Sequence, residues 1–371
     1  MVIDASRLGR AEDLMFDEAA GIRCMQMRGG SSKGAYFVDS DLPDEPAERD
    51  DLLLRVMGSP DERQIDGIGG GHPLTSKVAV VGPSTDPRAD VDYLFLQVVP
   101  DRAIVTAAQT CGNLLAGVGP FAVERGLVAA GAETTEVRIR IMNPSVSFAS
   151  ARVLTPGGRV RYDGDTVMAG TPFPAAPIDI ALPGNDAPIY PTGRLVDRFA
   201  GVEVTCVAAG MPVVLVRAGD LQLAGDEAPD ELEADQELRS IVEAIRLEAG
   251  SAMGLGDVRD ATVPKITVVS APRHGGTVTT RTFIPHRVHT AVGVLGAVSV
   301  AAAVRTPGTV TGPVAAPDRI VRVEHPSGFF DVNVALDEGG AGTRIRRSTV
   351  VRTARKLSDG LVWPRAREVG E

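Results

Sequence analysis

The segment 109–126, which reads QTCGNLLAGVGPFAVERG, constrains the fold more than any other part of the chain. The residues after Asn113 are too apolar and too rich in Gly and Ala for an exposed helix, so they predict a buried one. Cys111, Gly112 and Asn113 then fall at its N-terminus, where unpaired backbone N–H groups and the helix dipole favour an anion and a thiolate. Such a helix could hold a substrate carboxylate beside a reactive thiol. The alternative, which these residues leave open, is that Cys111 is a small buried cysteine and Asn113 a helix cap.

Length and charge limit the classes of protein to consider. The chain has 371 residues, which exceeds the usual size of a single core and predicts two domains or one very large one. Apolar residues make up 44% and charged residues 23%, as in a soluble globular protein. A net charge of −10 and only 4% aromatic residues argue against a nucleic acid or a membrane surface as partner. A small polyanionic substrate is compatible with a locally basic cleft.

The cysteines and the N-terminal region indicate a cellular location. The 3 cysteines are widely spaced and form no CxxC pair, which argues against structural disulfides and a cysteine zinc site and predicts the cytoplasm. Residues 1–20 are acidic, so we expect a flexible N-terminal extension and not a secretory signal. No apolar stretch is long enough to predict a membrane span.

A Gly/Ser turn in RGGSSKGAYF (28–37) joins two predicted strands. Its hydroxyl and backbone donors, with Arg28 and Lys33 on either side, could bind an anion. An ordinary hairpin turn with solvated cations is the alternative. The spacing differs from that of a P-loop, so a nucleotide site is not expected.

Lys77 follows the glycine cluster in DGIGGGHP (66–73) and heads an apolar strand. Desolvation or a second cation at that position would favour a neutral amine, which could act as a base. A surface lysine at the start of a strand is the alternative.

The second half of the chain repeats the order of the first. His286 and His289 lead into a glycine-rich turn and a small apolar run that ends before Pro307. Aligning Cys111 with Gly293 gives an offset of 182 positions (293 − 111), close to half the chain. The repeat predicts two similar halves whose buried helices, at 112–125 and 294–305, face one cleft.

Other segments define the remaining organisation. Residues 160–163 predict a strand, and 164–185, rich in Pro, Gly and Ala, predict a domain border. Residues 226–249 predict one amphipathic helix. The predicted units are an extension at 1–20, a first half at 21–186, a second half at 187–350 and a tail at 351–371 that returns to the first half.

Six motifs in order resemble the 2-methylaconitate cis-trans isomerase (PrpF-like) family, and are most similar to its 4-oxalomesaconate tautomerases. The motifs are RGGSSKGAYF, DGIGGGHPLTSKVAVV, CGNLLAGVGPFAVERGLV, the 281–289 segment, HPSG (325–328) and RTARKLSDG (352–360). The resemblance covers about residues 21–364. It implies an α+β, diaminopimelate-epimerase-like fold, in which two pseudo-symmetric, barrel-like halves each wrap a central helix and the active site lies between them. It also implies a proton shift on a tricarboxylate that needs no cofactor and no metal.

The resemblance also assigns residues. The family's active-site lysine falls on Lys77 and its thiol on Cys111. The predicted substrate-binding residues are Arg28, Ser31, Ser32, Lys33, Gly112, Asn113, Arg281, His289 and Ser327. Where epimerases of this fold place a second cysteine, this chain has Gly293, and Leu295 replaces the usual threonine, so a two-thiol racemase is not expected.

We therefore hypothesise a tautomerase that moves a proton between two carbons of 4-oxalomesaconate, in gallate or protocatechuate degradation. Lys77 and Cys111 would exchange protons with the substrate, in a direction that the sequence does not assign. Backbone N–H groups of Gly112 and Asn113 would stabilise the enolate, and Arg28, like Arg281, would clamp a carboxylate. The alternatives are a 2-methylaconitate or aconitate isomerase and a non-catalytic carboxylate-binding protein. Exposed strand edges are compatible with a homodimer.

Overall fold

The computed structural model of the chain describes residues 20–259, 261–284, 287–311, 320–337 and 342–367. The strands of the first half are β1 (Ile22–Gly29), β2 (Ser32–Val38), β3 (Lys77–Pro83), β4 (Val91–Val98), β5 (Val105–Thr106), β6 (Thr134–Ile141), β7 (Ser147–Leu154) and β8 (Pro177–Asn185). Those of the second half are β9 (Asp197–Phe199), β10 (Val202–Val207), β11 (Val213–Arg217), β12 (Lys265–Ser270), β13 (Val278–Phe283), β14 (Ile320–His325), β15 (Gly328–Asp337) and β16 (Arg344–Val362). The helices are α1 (Pro46–Met57), α2 (Gly112–Glu124), α3 (Pro229–Ala234), α4 (Gln236–Ala252) and α5 (Val294–Val304).

The strands form one continuous sheet that closes on itself in the first half. Its order is β1-β2-β3-β4-β6-β7-β8-β16, and β16 also pairs with β1, which completes a barrel. The sheet continues from β16 through β15, β14, β13, β12, β11 and β10 to β9 in the second half. The long strand β16 therefore belongs to both halves and forms the seam between them.

The helices lie in two places, inside and outside the sheet. The apolar residues of α2 and α5 lie in one core cluster with the inner face of the sheet in both halves. On the outside, α1 packs against the first half and α4 against the second, each over its own smaller core. The inner helices are apolar all round because they are enclosed, whereas the outer helices bury one face only.

Small residues let the first barrel close around α2. A Cβ added at Gly117 would overlap with the hydroxyl of Tyr36, and one at Gly119 would lie 2.9 Å from both Ala151 and Val153. The Tyr36 hydroxyl donates a 2.6 Å hydrogen bond to the Leu114 carbonyl, so the strand is fixed to the helix at this contact. The glycines of α2 are therefore packing residues.

The two inner helices meet at their N-termini. Cys111 is the N-cap of α2 and Gly293 the N-cap of α5, and a Cβ at Gly112 would lie 3.3 Å from Val294. The turns that follow, at Asn143 and His325, are also 182 positions apart (325 − 143). The repeat seen in the sequence therefore corresponds to two helix N-termini that face each other across the seam.

Two local predictions were wrong. Residues 226–249 do not form one helix, because Asp235 ends the first helical segment and accepts a 2.9 Å hydrogen bond from Leu238 N as the N-cap of α4. No strand forms at 160–163, and the Pro-rich segment instead contains β8, whose backbone pairs with β7 and β16. Pairing with two neighbours outweighs the poor strand propensity of that segment. Over the ranges given above, no helix is long and apolar enough to cross a membrane.

Candidate active site

Lys77 is the first residue of β3 and is only 7% exposed. Its Nζ donates a 2.7 Å hydrogen bond to Gln97 Oε1 and lies 5.1 Å from the centroid of the Phe95 ring. The Gln97 amide nitrogen donates to the backbone carbonyls of Ser76 (2.8 Å) and Pro73 (3.2 Å), which fixes the direction of its oxygen. The amine is therefore held by a neutral acceptor and an aromatic face.

Cys111 is half-buried at the start of α2. Its carbonyl accepts a 3.2 Å hydrogen bond from the Tyr93 hydroxyl, and burial raises the pKa of Tyr93 well above its usual value, so that the hydroxyl stays a donor. Tyr93, Phe95 and Gln97 alternate along β4 and thus share its inner face. The Lys77 amine contacts Gln97 and Phe95, and the Cys111 carbonyl contacts Tyr93, so both residues lie beside this face.

The β1–β2 turn packs against the N-terminus of α2. Asn113 Nδ2 donates a 3.1 Å hydrogen bond to Ser31 Oγ. Gly30 has a φ of +53°, and a Cβ there would overlap with the Asn113 side chain. Ser32 is 2% exposed, and its Oγ has no partner among the described residues. Gly34, two residues after Ser32, pairs with Lys77, and a Cβ there would lie 2.9 Å from Leu114, so the unpaired hydroxyl is on the strand that joins Lys77 to the first turn of α2.

The two cations beside this turn have other contacts. Arg28 Nη1 donates to the carbonyls of Gly30 (2.8 Å) and Thr353 (3.1 Å), which ties the turn to β16. Burial, with a smaller contribution from Arg355, lowers the pKa of Arg28. Lys33 alternates with Ser32 and so lies on the outer face of β2, towards the glycine cluster at Gly70. Neither side chain therefore forms a hydrogen bond with α2 in the described residues.

Arg281 lies on the face of β13 that also carries Phe283 and packs against α4. Its Nε donates to the Glu227 carbonyl (2.6 Å) and its Nη1 to the Thr280 carbonyl (2.9 Å). The structure therefore directs Arg281 towards the segment before α3 and not towards α5. Strand alternation is the reason, since Thr280 and Thr282 occupy the other face.

The remaining predicted residues of the second half lie near the start of α5 and the β14–β15 turn. His289 Nδ1 accepts a 2.9 Å hydrogen bond from Ala291 N, so its ring supports the loop before α5. Burial, and then the nearby Lys265, lower the pKa of His289. Ser327 is exposed, with its Oγ 3.3 Å from His325 Nδ1. His286 lies outside the described residues.

Three residues that the sequence analysis did not assign belong to this region: Gln97, His325 and Arg352. Gln97 is the one polar residue in the run 94–98 of β4, which reads LFLQV, and this is a usable signal. His325 and Arg352 stand in the HPSG and RTARKLSDG motifs, but their roles depend on contacts between distant strands. In the part of the chain that the structure describes, no group of three or more His, Cys, Asp or Glu residues could hold a metal ion.

The chain matches one protein family and is similar in sequence to several isomerases. A family described as PrpF protein matches residues 20–365. The chain is 51% identical to a (4E)-oxalomesaconate Δ-isomerase from Novosphingobium sp. (92% of this chain, 96% of that protein). It is 52% identical to a 4-oxalomesaconate tautomerase from Pseudomonas putida (92% and 95%) and 34% identical to a 2-methyl-aconitate isomerase from Shewanella oneidensis (94% and 98%).

Two solved structures have the same fold as this chain. The crystal structure of a methylitaconate-δ-isomerase superposes with a TM-score of 0.83 at 30% identity, over 94% of this chain and 98% of that one. A hydroxyproline epimerase from Agrobacterium vitis has a TM-score of 0.51 at 16% identity (92% and 93%), which speaks to the fold alone. The predicted fold class is therefore confirmed.

Proposed function

This chain belongs to the PrpF family, and on that premise we propose that it isomerises 4-oxalomesaconate by a proton shift between two carbons. The predicted family and the predicted class of enzyme, an isomerase, are confirmed by the relatives. The observation that carries the choice of substrate is the 51% and 52% identity, over 92% of the chain, to two proteins named for this substrate. The relative named for 2-methylaconitate is only 34% identical.

The chemistry requires that one carbon loses a proton and another gains one, through a dienolate intermediate. Lys77, in its neutral form, is the proposed base, since Gln97 directs its nitrogen and no carboxylate of the described residues pairs with it. Cys111 is the proposed partner that exchanges a proton with the other end of the allylic system. The Lys77 amine and the Cys111 main chain both contact side chains on the inner face of β4, and this shared neighbourhood supports the assignment of the two groups to one site.

The N-terminus of α2 is the proposed site of the enolate oxygen or of an adjacent carboxylate. The N–H groups of Gly112 and Asn113 stand in the first turn, where a helix leaves its donors unpaired. A single donor of this type is worth roughly 3 to 4 kcal/mol in related reactions. Ser32 and Ser31 would complete the site, because one hydroxyl is unpaired and the other is held by Asn113.

A substrate comparison tests the proposal. Turnover of 4-oxalomesaconate, 2-methylaconitate and aconitate would be followed by ultraviolet absorbance with the same enzyme preparation. We expect kcat/KM for 4-oxalomesaconate to exceed the others by about 100-fold or more, as for a site built to bind groups that the analogues lack. Faster turnover of aconitate or 2-methylaconitate would contradict the choice of substrate. Carboxylate binding without turnover of any of the three would favour a binding protein.

Two further expectations accompany the proposal. A cytoplasmic location is supported by the free thiols of Cys24, Cys111 and Cys206, which suit a reducing compartment. A homodimer stays a prediction, as does the absence of nucleic-acid and membrane partners; light scattering of the purified chain would measure the oligomeric state.

A further inference from the structure

Arg352 is a buried cation whose charge no described residue balances. It lies on β16, at the seam between the halves, and is only 2% exposed. Nη1 donates a 3.3 Å hydrogen bond to the Val351 carbonyl, whereas Nε and Nη2 have no partner among the residues that the structure describes. Burial lowers the pKa of Arg352 to about 9, and no acidic group counters that effect. An unpaired guanidinium in a protein interior is costly unless an anion joins it.

The neighbours of Arg352 do not supply that anion. The guanidinium carbon lies 3.8 Å from the centroid of the Phe330 ring, and the His325 ring packs on the same phenyl group at 5.2 Å. His325 is 7% exposed, and its Nε2 also has no described partner. Two unpaired polar groups therefore flank one aromatic ring.

The acids of the same hairpin are already occupied. Asp331 forms an ion pair with Arg322, with Nε and Oδ1 2.7 Å apart. Glu324 points to the other face of β14, where its carboxylate accepts hydrogen bonds from Thr279 Oγ1 and from the backbone N–H groups of Arg273, His274 and Gly276. An anion for Arg352 must therefore come from outside the described chain.

Contacts connect Arg352, His325 and Phe330 to the N-terminus of α2. The Met168–Thr171 turn lies between them: a Cβ at Gly328 would overlap with Ala169, and a Cβ at Gly170 would lie 3.0 Å from Ser31. Ser31 in turn accepts the hydrogen bond from Asn113. The Gly30 N–H also donates a 2.9 Å hydrogen bond to the carbonyl of Thr353, the residue after Arg352, so the surroundings of Arg352 adjoin the β1–β2 turn that packs on α2.

We propose that Arg352 and His325 form a carboxylate subsite that binds the end of the substrate remote from the reacting carbons. Nε and Nη2 lie along one edge of the guanidinium, and this edge matches the two oxygens of a carboxylate. With Ser327 as a hydrogen-bond donor to Nδ1, His325 presents its Nε2–H to the same group. The inference rests on the proposed function, because it takes the anion to be part of an unsaturated tricarboxylate.

Binding of tricarballylate, a saturated tricarboxylate that cannot isomerise, tests the subsite separately from turnover. Its dissociation constant would be measured by calorimetry for the wild type and for Arg352→Met. We expect the variant to bind about 10- to 100-fold more weakly, the range for lost charge-assisted hydrogen bonds. The matched control is Arg322→Met, which removes the paired arginine of the same hairpin and should leave binding unchanged.

Stability without ligand separates a binding role from a structural one. Because methionine removes an unpaired buried charge, we expect Arg352→Met to unfold at the same or a higher temperature than the wild type and to lose the stabilisation that tricarballylate gives. Arg352→Lys keeps the charge but not the two-nitrogen edge, so weak binding is again expected, and this variant serves if the methionine variant does not fold. Wild-type affinity in either folded variant, or no binding of tricarballylate to the wild type, would overturn the subsite. Binding by the wild type without turnover of 4-oxalomesaconate would instead overturn the proposed function and leave the subsite standing.

Discussion

The Lys77 amine donates its 2.7 Å hydrogen bond to the side chain of Gln97, its direct partner across the β3–β4 ladder. The other end of the Gln97 amide is fixed by backbone carbonyls, so the acceptor cannot turn away. A glutamine here orients the amine without adding a charge. A carboxylate at the same place would form an ion pair with the Lys77 ammonium group, which cannot accept a proton.

Replacing Gln97 by glutamate tests this relationship. The new carboxylate should pair with the Lys77 amine and compete with the substrate for it, so kcat at neutral pH should fall by about 10-fold or more. Steady-state kinetics at pH 7 would measure the change. Gln26→Glu, on β1, is the control and should leave kcat unchanged. An unchanged kcat in Gln97→Glu would argue against Lys77 as the base.

Removal of either proposed proton carrier should abolish most of the activity. We expect Lys77→Met and Cys111→Ala each to lower kcat by about 100- to 10,000-fold, the usual contribution of a positioned acid or base. Circular dichroism should show an intact fold. Cys206→Ala is the matched control, since Cys206 lies in the separate core under α4 and its loss should affect stability but not kcat. Near-normal turnover in either active-site variant argues against the assignment.

The three thiols should differ in reactivity. Burial raises the pKa of Cys24 and of Cys206 to about 12, so both stay protonated and inaccessible at neutral pH. Cys111 is half-buried at a helix N-terminus and should be the residue that iodoacetamide modifies. Peptide mass spectrometry would locate the label, and tricarballylate should slow its incorporation. Modification of Cys24 or Cys206 before Cys111 would contradict this order.

The packing of α2 predicts a large effect of a single methyl group. Gly117→Ala places a Cβ against the Tyr36 hydroxyl, whose hydrogen bond to Leu114 allows little movement. We expect a loss of about 1 to 3 kcal/mol in the free energy of unfolding, measured with urea. Gly219→Ala, where a Cβ would meet no atom within 4 Å, is the control. Equal stabilities of the two variants would show that the barrel can expand around the helix.

Stability should depend on pH through His325. Burial, followed by His289, lowers the pKa of His325 to about 4. Between pH 6.5, the usual value for histidine, and about 4, the unfolded chain binds a proton that the folded chain does not. The free energy of unfolding should therefore be fully present above about pH 6.5 and fall on acidification, by up to about 1.4 kcal/mol per pH unit. Denaturation of the wild type and of His325→Gln at several pH values would measure this, and parallel curves would exclude the contribution of His325.

The local pattern of the chain was enough to predict the buried helix after Cys111 and the glycine-rich turn at Gly30. Both depend on the size and polarity of neighbouring residues, which a sequence displays directly. Helix boundaries were less predictable: Asp235 interrupts the helix expected at 226–249 because its side chain caps α4. The strand β8 was missed because its stability comes from pairing with β16, more than 150 residues later.

The sequence by itself determined the family, the repeat of two halves and the residue types of the reacting groups, since these follow from motif order and from the chemistry of an amine, a thiol and a helix N-terminus. Only the tertiary structure decided which charged side chains turn inward. The sequence assigned Arg281 and gave Arg352 no role, yet strand alternation directs Arg281 to carbonyls on the outer side and leaves an edge of Arg352 unpaired at the seam. Direction and pairing depend on neighbours that are distant along the chain, and for that reason they become visible only once the strands are in register.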